Sequence, residues 1–169
     1  MSLQKIVSGG QTGVDRGALD AALVAGFPCG GWCPADRSAE DGEIPERYPL
    51  TPLAAAISSR TAQTARRVAE QYKARTLKNV QDSDATVILF RETLSAGTLL
   101  THKLCVREKK PLIALDAKGM TKLRAADAIA RFVEEHDIQV LNVAGPRLSG
   151  WPHGYAFALG AIGAVISNL

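Results

Sequence analysis

The feature that most constrains the fold of this chain is a glycine-rich loop near its beginning. The run Lys5-Ile6-Val7-Ser8 favours a β-strand, and a helical pattern follows over residues 14–25, with Gly26 placed to end it. Between the two lies the loop Ser8-Gly9-Gly10-Gln11-Thr12-Gly13. A strand, a glycine turn and a helix in this order form the first half of a β-α-β unit, which is typical of a parallel sheet.

This first loop has the composition of an anion-binding site. Its glycines permit positive φ angles and close approach of a ligand, while the following helix directs free N–H groups and its positive dipole end at the loop. Ser8, Gln11 and Thr12 add donors, and Arg16 lies one turn into the helix, where it can hold an oxyanion with two N–H groups. The spacing matches neither a Walker A motif nor the G-x-G-x-x-G fingerprint. The alternative is a tight turn that binds no ligand.

Strands and helices alternate along the rest of the chain. Apolar runs predict strands at residues 85–90, 111–115 and 139–143, and a short one at 28–30; helical patterns cover residues 53–75 (with a break near Ser58-Ser59), 98–109, 120–136 and 155–168. The alternation predicts an α/β fold with a three-layer Rossmann-like parallel sheet and helices on both faces. A length of 169 residues fits one domain spanning residues 1–169.

Two further loops follow predicted strands and resemble the first loop in composition. Ser95-Ala96-Gly97-Thr98 follows the strand at 85–90, and Gly145-Pro146-Arg147 follows the strand at 139–143. Ligands of parallel sheets bind outside the carboxyl ends of the strands, so we expect the three loops to form the walls of one site. The segment at 30–41 is rich in glycine, proline and charge, and is the expected cover of that site.

Several side chains near these loops allow two interpretations. Asp15 is either a carboxylate favoured by the helix dipole or an acceptor for a ribose or pterin-like group. Thr98 is either a helix cap or a ligand contact, and Arg147 is either a surface charge or a ligand contact. Arg75 and Asn79 precede the turn into the strand at 85–90. They are either polar residues of a connecting segment or part of the ligand site.

The last predicted helix, residues 155–168, has no charged side chain on any face. A helix that is apolar all round is normally buried, and a terminal helix of a small domain rarely has enough of its own protein to cover it. We therefore predict a homo-oligomer, a dimer or a tetramer, in which this helix contributes to the interface and Gly160 and Gly163 permit close approach.

Composition restricts the classes of function. The net charge of +3 and the low aromatic content of 5% make a nucleic-acid module the least favoured class. No apolar run reaches the length of about 18–20 residues that a membrane helix needs. The odd number of cysteines, Cys29, Cys33 and Cys105, favours free thiols in a reducing cytoplasm over a disulfide framework or a zinc site.

The order of these motifs resembles one known family through nearly the whole chain. The motifs are Ile6 to Asp20, Gly30 to Pro34, Glu40-Asp41-Gly42, Tyr48 to Leu50, Arg75-Thr76 with Asn79-Val80, Asp82 to Thr86, Gly97-Thr98 with Thr101, and Asn142 to Arg147. They resemble the "putative molybdenum carrier" family, which is related to the lysine-decarboxylase-like phosphoribohydrolases and to DNA-processing protein A. The resemblance implies a parallel-sheet fold, frequent oligomerisation and a ligand over the glycine loops. In related carriers that ligand is the molybdenum cofactor (molybdopterin), a pterin with a terminal phosphate.

The sequence departs from this resemblance at two places. Ala96 stands where a second glycine is expected before Gly97, which narrows the predicted pocket, and the helical stretch before Arg75 is longer than expected. The related hydrolases also place a glutamate on the turn after their Gly-Gly-x-Gly-Thr loop, whereas this chain has Leu99-Leu100.

The favoured function is a carrier of molybdenum cofactor or a related phosphorylated, nucleotide-like ligand. The alternative is an enzyme that processes a nucleotide or nucleotide-sugar, such as an N-glycosidic hydrolase, with Asp15 or Asp41, or else Glu92, as the acid or base. We expect no metal site built from side chains. The predicted ligand-binding residues are Ser8, Gly9, Gly10, Gln11, Thr12, Gly13, Asp15, Arg16, Arg75, Asn79, Ser95, Gly97, Thr98, Thr101, Gly145, Pro146 and Arg147.

Overall fold

The computed structural model of the chain describes residues 3–54 and 65–169. Its strands are β1 (Lys5–Val7), β2 (Cys29–Gly30), β3 (Trp32–Cys33), β4 (Ser38–Ala39), β5 (Gly42–Glu43), β6 (Thr51–Pro52), β7 (Ala85–Phe90), β8 (Leu112–Asp116) and β9 (Val140–Ala144). Its helices are α1 (Val14–Val24), α2 (Ala65–Gln81), α3 (Ala96–Arg107), α4 (Lys122–Glu135) and α5 (Gly154–Ser167).

Five strands form one parallel sheet in the order β2-β1-β9-β7-β8. In its register Ile6 lies between Cys29 and Leu141, and Val87 lies between Val143 and Ile113. Helices α1, α4 and α5 pack together on one face of the sheet, and α2 and α3 pack together on the other. The predicted three-layer Rossmann-like α/β fold is therefore confirmed.

Apolar burial is concentrated between the sheet and the layer of α1, α4 and α5. Val87 and Leu89 of β7 are fully buried there, together with Ile129 of α4 and Ile162 of α5. Each such side chain stabilises the fold by about 1.5–3 kcal/mol relative to exposure. The opposite face carries a smaller cluster of Val80, Leu104 and Cys105. The strand ends, and the loops that follow them, are thus attached to a rigid base.

The position of β9 explains the unusual strand order. Although β9 follows all the other strands in the chain, it lies at the centre of the sheet, between β1 and β7. When β9 and α5 are counted first, the sheet reads 3-2-1-4-5, which is the order of the first five strands in a dinucleotide-binding Rossmann sheet. The direction of chain progression therefore reverses around β9, at the point where such sheets bind ligands.

Helix α2 differs from its prediction. The predicted break at Ser58-Ser59 lies outside the described residues. The helix is present over the last part of the predicted range but continues to Gln81, so the interpretation of Arg75 and Asn79 as residues of a connection is wrong. Tertiary contacts stabilise the extra turn, because Val80 is fully buried against α3 and Asn79 bonds to the backbone of Trp32.

Helix α5 is covered by its own subunit to a greater extent than its position at the end of the predicted fold led us to expect. It lies against both α1 and α4, and Phe157, Ala161 and Val165 are among its buried residues. Gly163 has no heavy atom within 4 Å of where a Cβ would lie, and Gly160 faces only the flexible side chain of Lys122. Within the subunit, the close approach between α1 and α5 is at Gly17 of α1, and the use of Gly160 and Gly163 at a subunit interface stays a prediction. Among the described residues, no helix combines the length and the apolar character needed to cross a membrane.

The segment between β2 and β6 is ordered. Strand β3 pairs with β6, and β4 pairs with β5 in a small antiparallel hairpin. Arg37 holds the segment together, because its guanidinium donates to four backbone carbonyls at 3.1–3.2 Å, those of Ile44, Pro45, Tyr48 and Leu50.

Candidate functional site

The first loop lies directly against the third. Ser8, at the end of β1, donates its hydroxyl to the carbonyl oxygen of Val143 in β9 at 2.6 Å. Gly13 has a φ of +81°, and a Cβ there would lie 2.6 Å from the carbonyl oxygen of Pro146. The sharp turn into α1 and the contact with the third loop both require a glycine at this position. Two of the three predicted walls are therefore adjacent.

Gly9 makes room for a side chain from α2. A Cβ on Gly9 would collide with Nη1 of Arg75. The Arg75 guanidinium therefore lies on the backbone of the first loop, and its Nη1 donates to Oδ2 of Asp15 at 3.3 Å. Both side chains are largely buried, with 14% of Arg75 and 5% of Asp15 exposed. The sequence named Arg75 and Asp15 separately, and the structure makes them one ion pair.

Arg75 is a buried cation with few partners. Asp15 accepts its one described hydrogen bond, and the Nε of Arg75 is buried without a hydrogen-bond partner. A guanidinium has five N–H donors, and a buried donor that is left unpaired costs about 1–3 kcal/mol. Burial raises the pKa of Asp15, although the charge of Arg75 and the bond from the Gln11 amide at 3.2 Å act in the opposite direction.

Arg16, by contrast, is fully engaged by the chain itself. Its two terminal nitrogens bind both carboxylate oxygens of Asp41 at 2.6 and 2.8 Å, and its Nε donates to the carbonyl oxygen of Gly10 at 3.1 Å. The hydrogen bond and the charge of Arg16 hold the pKa of Asp41 below its usual range. The two-pronged grip that we expected for a ligand is thus made with an internal carboxylate.

Glu40, the neighbour of Asp41 at the tip of the β4–β5 hairpin, connects the first and third loops. Its carboxylate accepts from the Thr12 hydroxyl, from the Ser149 amide at 3.1 Å and from the Ser149 hydroxyl at 2.6 Å. Nε of Arg147 lies 3.6 Å away. Burial alone would raise the pKa of Glu40, but the bonds from Ser149 and Thr12 outweigh burial and lower it. The sequence placed Glu40 in the expected cover but gave no reason to expect these contacts.

The second loop bonds mainly within its own turn. The Ser95 hydroxyl oxygen accepts from the Thr98 amide at 3.4 Å, so Ser95 caps α3 and Thr98 does not. The Thr101 hydroxyl donates to the carbonyl oxygen of Gly97 at 3.1 Å. Within the described ranges, no hydrogen bond connects these residues to the first loop. Gly97 is exposed and faces open space, so the part of the second loop in the site stays a prediction.

Two comparisons with known proteins agree with this architecture. The family model named circularly permutated YpsA SLOG family matches residues 6–166, which is nearly the whole chain. The chain belongs to this family. Among solved structures, the chain is similar to a putative molybdenum carrier protein from Syntrophus aciditrophicus SB, with 37% sequence identity and a TM-score of 0.86 over 98% of this chain and 96% of that one. No curated protein matches.

These findings confirm the resemblance that the sequence motifs indicated. In this member of the circularly permutated YpsA family, the residues of the first loop, α2, the hairpin and the third loop come together around Gly9 and Thr12. Asn79 lies beside them but is occupied, because its amide pairs with both backbone polar groups of Trp32 at 2.8 and 3.0 Å. Its contribution is to hold the cover in place.

The three carboxylates considered as acids or bases are each in an ion pair. Asp15 pairs with Arg75, Asp41 pairs with Arg16, and Glu92 pairs with Lys118 at 3.0 Å on the surface. Of these, Asp15 alone combines burial with a position against the first loop. Among the residues that the structure describes, no three His, Cys, Asp or Glu side chains are grouped as a metal ion would require.

Proposed function

We propose that this protein binds the molybdenum cofactor, or a related phosphorylated and nucleotide-like ligand, at the glycine loops on the carboxyl edge of its sheet. The observation that carries the proposal is the Arg75 guanidinium, which is buried against Gly9 with an unpaired Nε. The name of the Syntrophus aciditrophicus relative supports the choice of a molybdenum-containing ligand.

A phosphate group fits the needs of this site. Its oxygens would accept from the free N–H groups of Arg75, and charge-assisted bonds of this kind are about twice as strong as neutral ones. The first turn of α1 adds backbone N–H groups and the positive end of the helix dipole, which favour the same anion. The cofactor would therefore be held through its terminal phosphate by Arg75 and the first loop, with molybdenum as the cargo that it brings.

The arrangement of the charged side chains in the site supports a protein that binds its ligand better than it supports an enzyme that converts it. Arg16 and Asp41 satisfy each other, and so do Glu40 and its donors, which leaves no free acid and base opposite each other in the described site. One observation favours an N-glycosidic hydrolase as the second candidate: burial raises the pKa of Asp15, as a general acid requires.

The test is to purify the protein from a host that makes molybdenum cofactor, release its small molecules and identify them by mass spectrometry and metal analysis. Arg75→Ala is compared with Arg66→Ala, a matched change at an exposed position on the same helix. We expect a pterin phosphate with wild type and with Arg66→Ala. We expect a 10- to 100-fold loss with Arg75→Ala, which corresponds to about 1.5–3 kcal/mol for a charged hydrogen bond.

The same preparation distinguishes the alternatives. Release of a free base from an added nucleoside monophosphate, lost in Asp15→Asn, would establish the hydrolase and contradict the carrier. Equal ligand content in wild type and Arg75→Ala would contradict the anion site. We place the protein in the cytoplasm, because Cys29, Cys33 and Cys105 are all free thiols.

A further inference from the structure

The hairpin of residues 38–43, here called the lid hairpin, presents two carboxylates to Arg16 and Thr12, which were predicted to bind the ligand, and to Ser149 of the third loop. Asp41 occupies both terminal nitrogens of Arg16, and Glu40 occupies the Thr12 hydroxyl and the amide and hydroxyl of Ser149. Carboxylates and phosphates use the same donors. These donors therefore already hold an anion, and it is part of the chain.

The base and the tip of the lid hairpin are attached in different ways. At the base, the Ile44 amide donates to the carbonyl oxygen of Arg37 at 2.7 Å, and the Ile44 side chain is buried beside Tyr48. At the tip, the residues of β5 are exposed, and the contacts are polar: those of Glu40 and Asp41, and a bond from the Glu40 amide to Oε1 of Gln11 at 2.9 Å. The tip can therefore leave with little loss of apolar burial, because the one apolar side chain of the hairpin, Ala39, is only partly buried against the cluster of Ile44 and Tyr48, while the base keeps its position.

We propose that Glu40 and Asp41 act as an internal substitute for the ligand's anionic groups, and that binding of a phosphorylated ligand displaces the lid hairpin from Arg16, Thr12 and Ser149. This inference rests on the proposed anion site and adds the control of access to it. When closed, the lid hairpin neutralises Arg16 and screens Arg147. When open, it releases Arg16 and Arg147 in addition to Arg75, so that a ligand with several anionic oxygens meets three arginines instead of one.

In the closed state the lid hairpin occupies these donors, so every ligand that binds them must first displace it. The free energy of this displacement is the same for each ligand. An apparent dissociation constant is raised by the inverse of the open fraction, whichever ligand binds. Weakening the closed state therefore improves the affinity for different phosphorylated ligands by the same factor. Simple removal of negative charge near the site behaves differently, since the gain in affinity then increases with the charge of the ligand.

The experiment measures binding of AMP and of pyrophosphate by titration calorimetry. Glu40→Gln/Asp41→Asn is compared with wild type and with Glu43→Gln/Glu46→Gln, which removes two charges from exposed positions of the same segment. We expect the first variant to bind both probes about tenfold more tightly, the difference between charged and neutral hydrogen bonds, and by a common factor. We expect the control variant to match wild type.

Three results would overturn the proposal that the ligand displaces the lid hairpin. They are no gain in affinity for the variant, an equal gain in affinity for the control variant, or a gain in affinity that is clearly larger for pyrophosphate than for AMP. Hydrogen exchange of wild type gives a second criterion that needs no variant, because the amide of Glu40 should exchange faster once pyrophosphate is bound; slower exchange would contradict displacement. If neither wild type nor any variant binds either probe, the proposed anion site itself fails and the lid inference falls with it.

Discussion

At the scale of single residues, this protein gathers several polar groups around individual carboxylates. Besides Glu40, the clearest case is Asp20 of α1, whose Oδ2 accepts from the Tyr155 hydroxyl at 2.7 Å, the Tyr48 hydroxyl at 3.0 Å and Arg47 at 3.2 Å. Burial and the neighbouring Asp20 raise the pKa of Tyr155 to about 12. The two tyrosines are therefore neutral donors that attach α5 and the cover to α1.

This cluster predicts how stability depends on alkaline pH. The pKa of Tyr155 is raised from 10.0 to about 12, so its contribution is complete below pH 10 and is lost as the pH rises through 12. We expect the free energy of unfolding, measured with urea, to fall over this range. In Tyr155→Phe the fall should be smaller but still present, because burial also raises the pKa of Tyr48. An identical fall in both proteins would contradict this role of Tyr155.

Single residues also show where sequence reasoning stops. The backbone role of the first loop was predictable, because glycines between a strand and a helix have few alternatives. The partners of Arg16 and Arg75 were not predictable, because Asp41 lies 25 residues from Arg16 and Asp15 lies 60 residues from Arg75. Which carboxylate reaches which guanidinium depends on how the cover and α2 pack, and no local pattern encodes that packing.

At the scale of elements, the closest packing is between α1 and α5. A Cβ on Gly17 would collide with the carbonyl oxygen of Tyr155 and lie 3.0 Å from the Cβ of Ala158. The absence of a side chain at Gly17 therefore sets the distance between the two helices. Helix α5 was predicted well because its composition is uniform. The last residues of α2 were not predicted to be helical because they are polar, as is typical of a loop. What places Asn79 in the helix is a hydrogen bond from the distant backbone amide of Trp32, which no local pattern indicates.

For Gly17 we predict that substitution by alanine destabilises the protein, although alanine is the better helix former. Alanine normally stabilises a helix by about 0.5–1 kcal/mol relative to glycine. At Gly17 the added methyl group must move α5, and overpacking of this kind costs about 1–3 kcal/mol, so we expect Gly17→Ala to lower the free energy of unfolding. Gly97→Ala is the control, because it faces open space in α3 and should leave stability equal or higher. Urea unfolding without ligand checks both, and a stabilised Gly17→Ala would refute the contact.

At the scale of the whole molecule, one surface suggests contact with a second copy. A groove of about 440 Å³ lies between α1 and α5, with Leu23, Val24 and Leu159 among its lining residues. Val24 is 86% exposed, although it is apolar and ends a helix of the main core. Exposed apolar residues next to one another are typical of interaction sites. We therefore still predict an oligomer, with an interface that includes the part of α5 that α1 and α4 leave uncovered.

We expect light scattering after size exclusion to give a multiple of the 18.0 kDa chain mass. Leu159→Glu should shift the protein towards monomers, because it places a charge beside the apolar side chains of Leu23 and Val24 in the groove. Val106→Glu, an equivalent change at an exposed position on α3, should not. A wild-type mass of one chain at every concentration tested would rule out the oligomer.

The alternation of strands and helices was sufficient to predict the layers of the molecule, but not the order of strands within its sheet. That order follows from the contacts of β9 with β1 on one side and β7 on the other, which join residues far apart in the chain. The first and third loops lie together as predicted because β1 and β9 are neighbours; β7 is also a neighbour of β9, but the second loop bonds mainly within its own turn.

The central position of β9 also has a consequence for synthesis. A ribosome makes β1, β2, β7 and β8 before β9, so the growing chain holds two separate strand pairs, each with an open edge. The acceptor of the Ser8 hydroxyl, the contact of Gly13 with Pro146 and the donors of Ser149 are all translated after α4. The first and third loops of the proposed anion site therefore come together only after β9 is made, and a product that is cut short before β9 has the first loop without the third loop that lies against it.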